Sequence, residues 1–77
     1  MPHVIVKLYS GRSENDKERL ADALAKAVKS VLGYGDESIS VGIEDVEPKD
    51  WAESVYRPDI LGNPERIYKK PGYNPIR

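Results

Sequence analysis

The stretch LADALAKAVKSVL, residues 20–32, carries the strongest structural pattern in this 77-residue chain. Its larger apolar side chains recur at three- and four-residue intervals, as on one face of an α-helix. Ser13 with Asp16 three residues later is typical of a helix amino terminus, and Gly33 is typical of a helix stop. The pattern therefore predicts one long helix that begins near Ser13 and ends at Gly33.

Strand-like segments lie on both sides of this helix. Residues 3–8 (HVIVKL) have the two-residue period of a strand, with apolar side chains on both faces. In residues 38–44 (SISVGIE) polar or small residues alternate with apolar ones. A strand, a long helix and a second strand form a βαβ unit, in which the strands are parallel and the crossover is right-handed. The predicted fold class is α+β.

The last third is less regular. Pro48 favours a short helix that carries Trp51 and ends at Arg57-Pro58. Asn63-Pro64 favours a second helix start, with that helix running to Lys69-Lys70. We expect short carboxy-terminal helices and a single domain over residues 1–77.

Length and composition restrict the function. A domain this small has a marginal core, and two strands leave exposed edges, so pairing the sheets of two copies into four strands is the simplest remedy. With no cysteine and one histidine, disulfides and thiolate sites are excluded and a zinc cluster is implausible. The interspersed charges, net −1, argue against nucleic-acid or membrane binding. No signal-peptide pattern is present, so we expect a cytoplasmic protein. The small core and the exposed strand edges lead us to expect a homodimer.

Pro2 is the first candidate for chemistry. If Met1 is removed, Pro2 becomes a free secondary amine, and an α-amine has a pKa of about 7.7–8.0 in short peptides, close to the ideal for a general base. Proline is also ordinary at the start of a strand, and position alone favours that plainer interpretation.

Three other residues carry side chains whose chemistry could suit a site. Arg12, in the loop before the helix, could hold a carboxylate, although pairing with Glu14 or Asp16 is the more ordinary role. Trp51 could wall an apolar pocket, but a lone tryptophan is usually core or interface. His3 is interpreted as a strand-face residue.

Together, the start MPHVIVKL, the loop Gly11-Arg12-Ser13 with the following DKERL, and residues 38–43 (SISVGI) resemble the tautomerase superfamily, specifically the 4-oxalocrotonate tautomerase family. The resemblance covers residues 2 to about 51. Trp51 and the terminal KKPGY, residues 69–73, resemble its dimeric branch, whose extra carboxy-terminal helix covers a surface that shorter members use to form hexamers. A hexamer remains the alternative assembly.

The resemblance implies a cofactor-independent isomerase that ketonises enol forms of 2-oxo acids. Pro2 would be the general base, Arg12 would bind the substrate carboxylate, often across a subunit boundary, and Trp51 would keep the pocket apolar. Ser40 stands where hexameric members place a second arginine that stabilises the enolate. A neutral hydroxyl stabilises negative charge less well, which favours monocarboxylates such as phenylenolpyruvate over dicarboxylates.

Two alternatives remain open. The same fold performs hydration or hydrolytic dehalogenation of unsaturated acids when a protonated proline works beside a water-activating carboxylate, for which Glu44 and Glu53 are conceivable. The chain could also be a noncatalytic oligomeric binding module. The protonation state of the Pro2 amine near neutral pH distinguishes the tautomerase from the hydratase or dehalogenase. Absence of turnover on enols would favour the noncatalytic binding module.

Overall fold

The computed structural model describes residues 1–76, which fall into two compact units. The first runs from Met1 to Asp45, and the second begins at Val46. No helix in residues 1–76 is both long enough and apolar enough to cross a membrane.

The first unit contains the predicted βαβ arrangement. Strand β1, His3–Tyr9, pairs in parallel with β2, Ser40–Val46, and helix α1, Glu14–Leu32, connects them. The hydroxyl oxygen of Ser13 accepts a hydrogen bond of 3.0 Å from the backbone N–H of Asp16, which caps α1. At the other end Gly33 adopts a left-handed conformation with φ 79°. Both predicted ends of the helix are confirmed.

The two faces of the sheet differ in what they contact. Lys17 of α1 binds the carboxylate of Asp45 at 2.7 Å, which identifies the β2 face carrying Asp45 as the helix side. Side chains alternate along a strand, so Ser40 lies on the opposite face, where its hydroxyl meets the His3 imidazole. On that open face Ile5 and Tyr9 are 58% and 52% exposed.

The second strand begins later than the alternating pattern predicted. Residues Asp36–Ser38 form a 3₁₀ turn, and the Ser38 hydroxyl donates to the Gly35 carbonyl at 3.0 Å. This local side-chain bond competes with strand pairing, so Ser38 is outside β2. Ser40 is consequently the first residue of the strand, whereas the alternating pattern over residues 38–44 makes it the third.

The prediction that Arg57-Pro58 ends a helix is wrong. After a 3₁₀ turn at Pro48–Asp50, a π-helix spans Ala52–Leu61 with Pro58 inside it. At its end the Gly62 N–H donates to the Arg57 carbonyl, five residues back, at 2.9 Å, which is the hydrogen-bond spacing of a π-helix. The π-helix thus continues past a residue whose ring and missing N–H normally break an α-helix. It contributes Val55 and Tyr56 to the buried core.

The last predicted helix is reduced to one 3₁₀ turn, Pro64–Arg66. The side-chain amide of Asn63 donates to the Pro58 carbonyl at 2.8 Å, an acceptor outside the turn that it was expected to cap. With its side chain engaged there, Asn63 caps no helix, and the segment from Ile67 to Lys70 is not helical.

Candidate functional site

The start of the parallel sheet brings Pro2, His3 and Ser40 together. The half-buried Pro2 precedes β1, and its carbonyl accepts the backbone N–H of Ser40 at 3.2 Å. The Ser40 hydroxyl oxygen lies 2.6 Å from Nδ1 of His3. Two candidate residues, Pro2 and Ser40, are therefore neighbours, and a third polar group joins them.

Arg12 lies beyond the other end of β1. The chain leaves the strand through Gly11, whose φ of 118° is a conformation that other residues rarely adopt, and Arg12 follows. The Arg12 side chain is 70% exposed and reaches the Asp16 carboxylate only at 3.5 Å. Such a long, exposed ion pair is weak, so a substrate carboxylate can compete for the guanidinium.

A groove of about 460 Å³ opens beside Arg12, between the end of β1 and the first turns of α1. Leu8 and Leu20 supply its apolar walls. Arg12 and Arg19 supply positive charge, and both approach Asp16, at 3.5 and 3.9 Å. The groove combines an apolar wall with guanidinium groups, which suits a small organic acid.

Lys17, which also lines this groove, is already paired. Its ammonium binds the Asp45 carboxylate at 2.7 Å and the Glu14 carboxylate at 3.2 Å. These bonds raise the pKa of Lys17, the one to Asp45 most strongly, since both stabilise the charged form. Lys17 therefore links α1 to β2, and the two arginines remain as the weakly paired cations of the groove.

Pro2 and Arg12 of one chain are far apart. The seven residues of β1 separate them, a rise of roughly 23 Å. A small organic acid is much shorter than that distance. One ligand cannot contact both residues of the same chain.

Trp51 belongs to the second unit. Its indole N–H donates to the Tyr73 hydroxyl at 2.9 Å, and the Tyr73 ring packs at a tilt on Tyr56, with ring centroids 5.6 Å apart. The proposed role of Trp51 as a wall near Pro2 remains a prediction. Sequence reasoning did not find Tyr73 as its partner, because the two residues are 22 positions apart and no sequence pattern indicates the contact.

Two residues of the first unit were also missed. His3 was interpreted as an ordinary strand-face residue, and Arg19 was not singled out. The alternation of side chains along the strands could have indicated His3. His3 and Ser40 are the first residues of two parallel neighbouring strands, so their side chains can lie on the same face of the sheet. No comparable signal pointed to Arg19, whose role as a groove residue depends on the three-dimensional path of the loop.

The fold and these residues define a small α+β protein with a polar site at the amino-terminal end of a parallel βαβ sheet. A sequence model for the family described as "Tautomerase enzyme" matches residues 2–55. The chain is 47% identical over 76 residues to a probable tautomerase of Xylella fastidiosa, an alignment that covers 99% of this chain and 93% of the relative. It is 37% identical to tautomerase PptA of Pectobacterium carotovorum, covering 96% and 99%.

Solved structures agree with the sequence comparisons. The structure of YwhB, a homologue of 4-oxalocrotonate tautomerase, superposes with a TM-score of 0.64 at 34% identity, covering 69% of this chain and 87% of YwhB. This chain belongs to the tautomerase family, with the 4-oxalocrotonate tautomerase fold.

Proposed function

We propose that this protein is a cofactor-independent keto–enol tautomerase in which the Pro2 amine, freed by removal of Met1, is the general base. The observation that carries the proposal is that Pro2 directly precedes β1 in a member of the tautomerase family. The match to the family's sequence model also begins at Pro2. The names of the relatives, a probable tautomerase and tautomerase PptA, support isomerase activity.

The chemistry needs one group that both accepts and returns a proton. The neutral Pro2 amine takes the enol O–H proton, directly or through water, as the enolate forms. The resulting ammonium then gives a proton to carbon, which yields the ketone and regenerates the amine. A free α-amine titrates near pH 7.7–8.0 in short peptides, at about the value that serves both steps at neutral pH.

The groove beside Arg12 supports a substrate with one carboxylate and an apolar body. The guanidinium of Arg12 offers a planar fork to a carboxylate, and Leu8 and Leu20 offer apolar surface nearby. Enols of aromatic 2-oxo acids, such as phenylenolpyruvate, have both parts. Ser40 supports the enolate oxygen with a neutral donor in this scheme, and Trp51 excludes water from the site.

A second copy of the chain completes the site. Because β1 keeps Pro2 and Arg12 of one chain apart, the Arg12 that binds the carboxylate comes from a neighbouring copy. The open edges of the two-stranded sheet in residues 1–76 support this assembly, since pairing two copies edge to edge gives four strands. We propose a homodimer in which each copy, as one tautomerase domain, contributes to both sites.

The experiment compares wild-type and Pro2→Ala proteins, both confirmed by intact mass to lack Met1, in the ketonisation of phenylenolpyruvate. Alanine keeps a primary α-amine but loses the ring that fixes its position, so kcat should fall by at least about tenfold, less than the roughly 10²–10⁴-fold that a complete general base contributes, because a basic amine remains. A Pro2→Ala protein with the full wild-type rate would refute the proline-base mechanism.

A further inference from the structure

The hydrogen bond between His3 and Ser40 joins side chains that lie 37 residues apart in the chain. His3 Nδ1 and Ser40 Oγ are separated by 2.6 Å on the open face of the sheet. A Cβ atom added at Gly42 would lie 4.0 Å from Cε1 of His3, so the imidazole ring lies close to Gly42, two residues from Ser40 along β2. The ring therefore lies over the start of the neighbouring strand, where Ser40 is its hydrogen-bond partner.

The direction of this bond decides what Ser40 can do. A hydroxyl has one proton to donate and can accept other bonds. If the hydroxyl donates to Nδ1, no proton remains for a substrate. If Nδ1 carries the hydrogen and donates to Oγ, the Ser40 O–H is free to donate elsewhere, and the incoming bond polarises it into a stronger donor.

We infer that His3 is a positioning residue that donates its Nδ1–H to Ser40 and so directs the Ser40 hydroxyl proton toward the enolate oxygen. This inference rests on the proposed function and adds a second residue to the enolate-stabilising group. The Ser40 backbone is held next to Pro2 by the 3.2 Å bond to the Pro2 carbonyl, so the donor pair stands beside the proposed base. His3 and Ser40 together would form a stronger hydrogen-bond donor to the enolate oxygen than a lone serine.

A double-mutant cycle tests the inference. The proteins are Ser40→Ala, His3→Leu and the double variant, all processed at Met1 and all assayed for ketonisation of phenylenolpyruvate. Ser40→Ala should lower kcat by about a hundredfold, the lower end of the loss for one preorganised oxyanion donor, with little change in KM. His3→Leu should lower kcat by about tenfold or more, and the double variant should be no slower than Ser40→Ala, because His3 acts through Ser40.

The variant His3→Asn provides the matched rescue. Its side-chain amide can place an N–H near the position of Nδ1, so it should recover most of the kcat that His3→Leu loses. A purely structural role predicts instead that activity follows the thermal unfolding midpoint of each variant, whichever group it carries. Midpoints measured for all four proteins separate these cases.

Three results would overturn the inference: a His3→Leu protein with wild-type kcat, losses that multiply in the double variant, or no rescue by asparagine. These outcomes are distinct from failure of the proposed function, which appears as full activity in Pro2→Ala. A catalytic loss in Pro2→Ala with none in His3→Leu rejects only the role of His3.

Discussion

Pro2 and Arg12 stand at opposite ends of β1, separated by its seven residues. At about 3.3 Å per residue this strand holds the proposed base and the proposed carboxylate ligand too far apart to share a substrate within one chain. The same strand carries an unpaired edge in residues 1–76, available to a second copy. In the proposed scheme, catalysis and association therefore depend on the same element.

Complementation between two impaired proteins follows from this separation. Pro2→Ala and Arg12→Ala chains, mixed equally and allowed to exchange subunits, should regain about a quarter of wild-type activity. One site in four then combines an intact Pro2 with an intact Arg12 from different chains. The assay is phenylenolpyruvate ketonisation before and after exchange.

The control mixes Pro2→Ala chains with chains that carry both substitutions, which can form no complete site. Recovery in that control, or none in the Pro2→Ala and Arg12→Ala mixture after exchange is demonstrated, would contradict a shared site.

Arg12→Gln should mainly weaken substrate binding. Losing one charge-assisted carboxylate contact is worth about 1.5–3 kcal/mol, or roughly a tenfold to hundredfold fall in kcat/KM, expressed largely as a higher KM. Arg19→Gln is the matched control, since Arg19 lines the same groove and also approaches Asp16. Equal losses in both variants would show a general effect of positive charge and argue against a specific role for Arg12.

Lys17→Met should lower the thermal stability of the first unit, because it leaves Asp45 and Glu14 without their ammonium partner. The pKa of Lys17 is raised in the folded state, so its stabilising effect is complete below about pH 10.5 and disappears as pH rises through the folded value. The difference in unfolding midpoint between wild type and Lys17→Met should therefore shrink in strongly alkaline buffer.

Lys26→Met is the control for Lys17. Lys26 pairs with Asp22 at 2.9 Å within the same helix, but its side chain is 75% exposed, against 16% for Lys17. Its substitution should change the midpoint less. A larger effect at Lys26 would show that the link from α1 to β2 is not what stabilises this unit.

Tyr73→Phe tests the second unit. The substitution keeps the ring that packs on Tyr56 and removes the hydroxyl that accepts the Trp51 indole N–H, at an expected loss of about 1 kcal/mol in unfolding free energy. Urea unfolding followed by fluorescence of Trp51, the only tryptophan, measures it. Tyr68→Phe, at a residue that is 97% exposed, should change nothing, and an equal loss there would contradict the assignment.

The first unit was largely predictable because its signals are periodic and local. The helical repeat through Leu32, the cap at Ser13 and the stop at Gly33 each depend on neighbours within a few residues, and all three are present in the structure. Position and chemistry made Pro2 and Arg12 candidates, but their proposed roles came from the family resemblance. Their separation along β1 followed once the strand was placed.

The second unit was less predictable because its structure departs from local preference. Pro58 is a strong helix breaker, yet the π-helix continues to Leu61. Asn63 has the chemistry of a cap, but its amide donates to the Pro58 carbonyl instead. The bonds of His3 to Ser40 and of Trp51 to Tyr73 connect distant residues, which no single-sequence pattern specifies.

The most direct test of the central claim converts the Pro2 nitrogen from an amine to an amide. One preparation keeps an amino-terminal extension that ends in Met1, so that the nitrogen is an amide, and the other has every residue before Pro2 removed, as verified by intact mass. An amide nitrogen cannot accept the enol proton, so we predict that the extended form ketonises phenylenolpyruvate with a kcat at least about a hundredfold lower. Equal kcat values for the two preparations would contradict the claim that the Pro2 amine is the base.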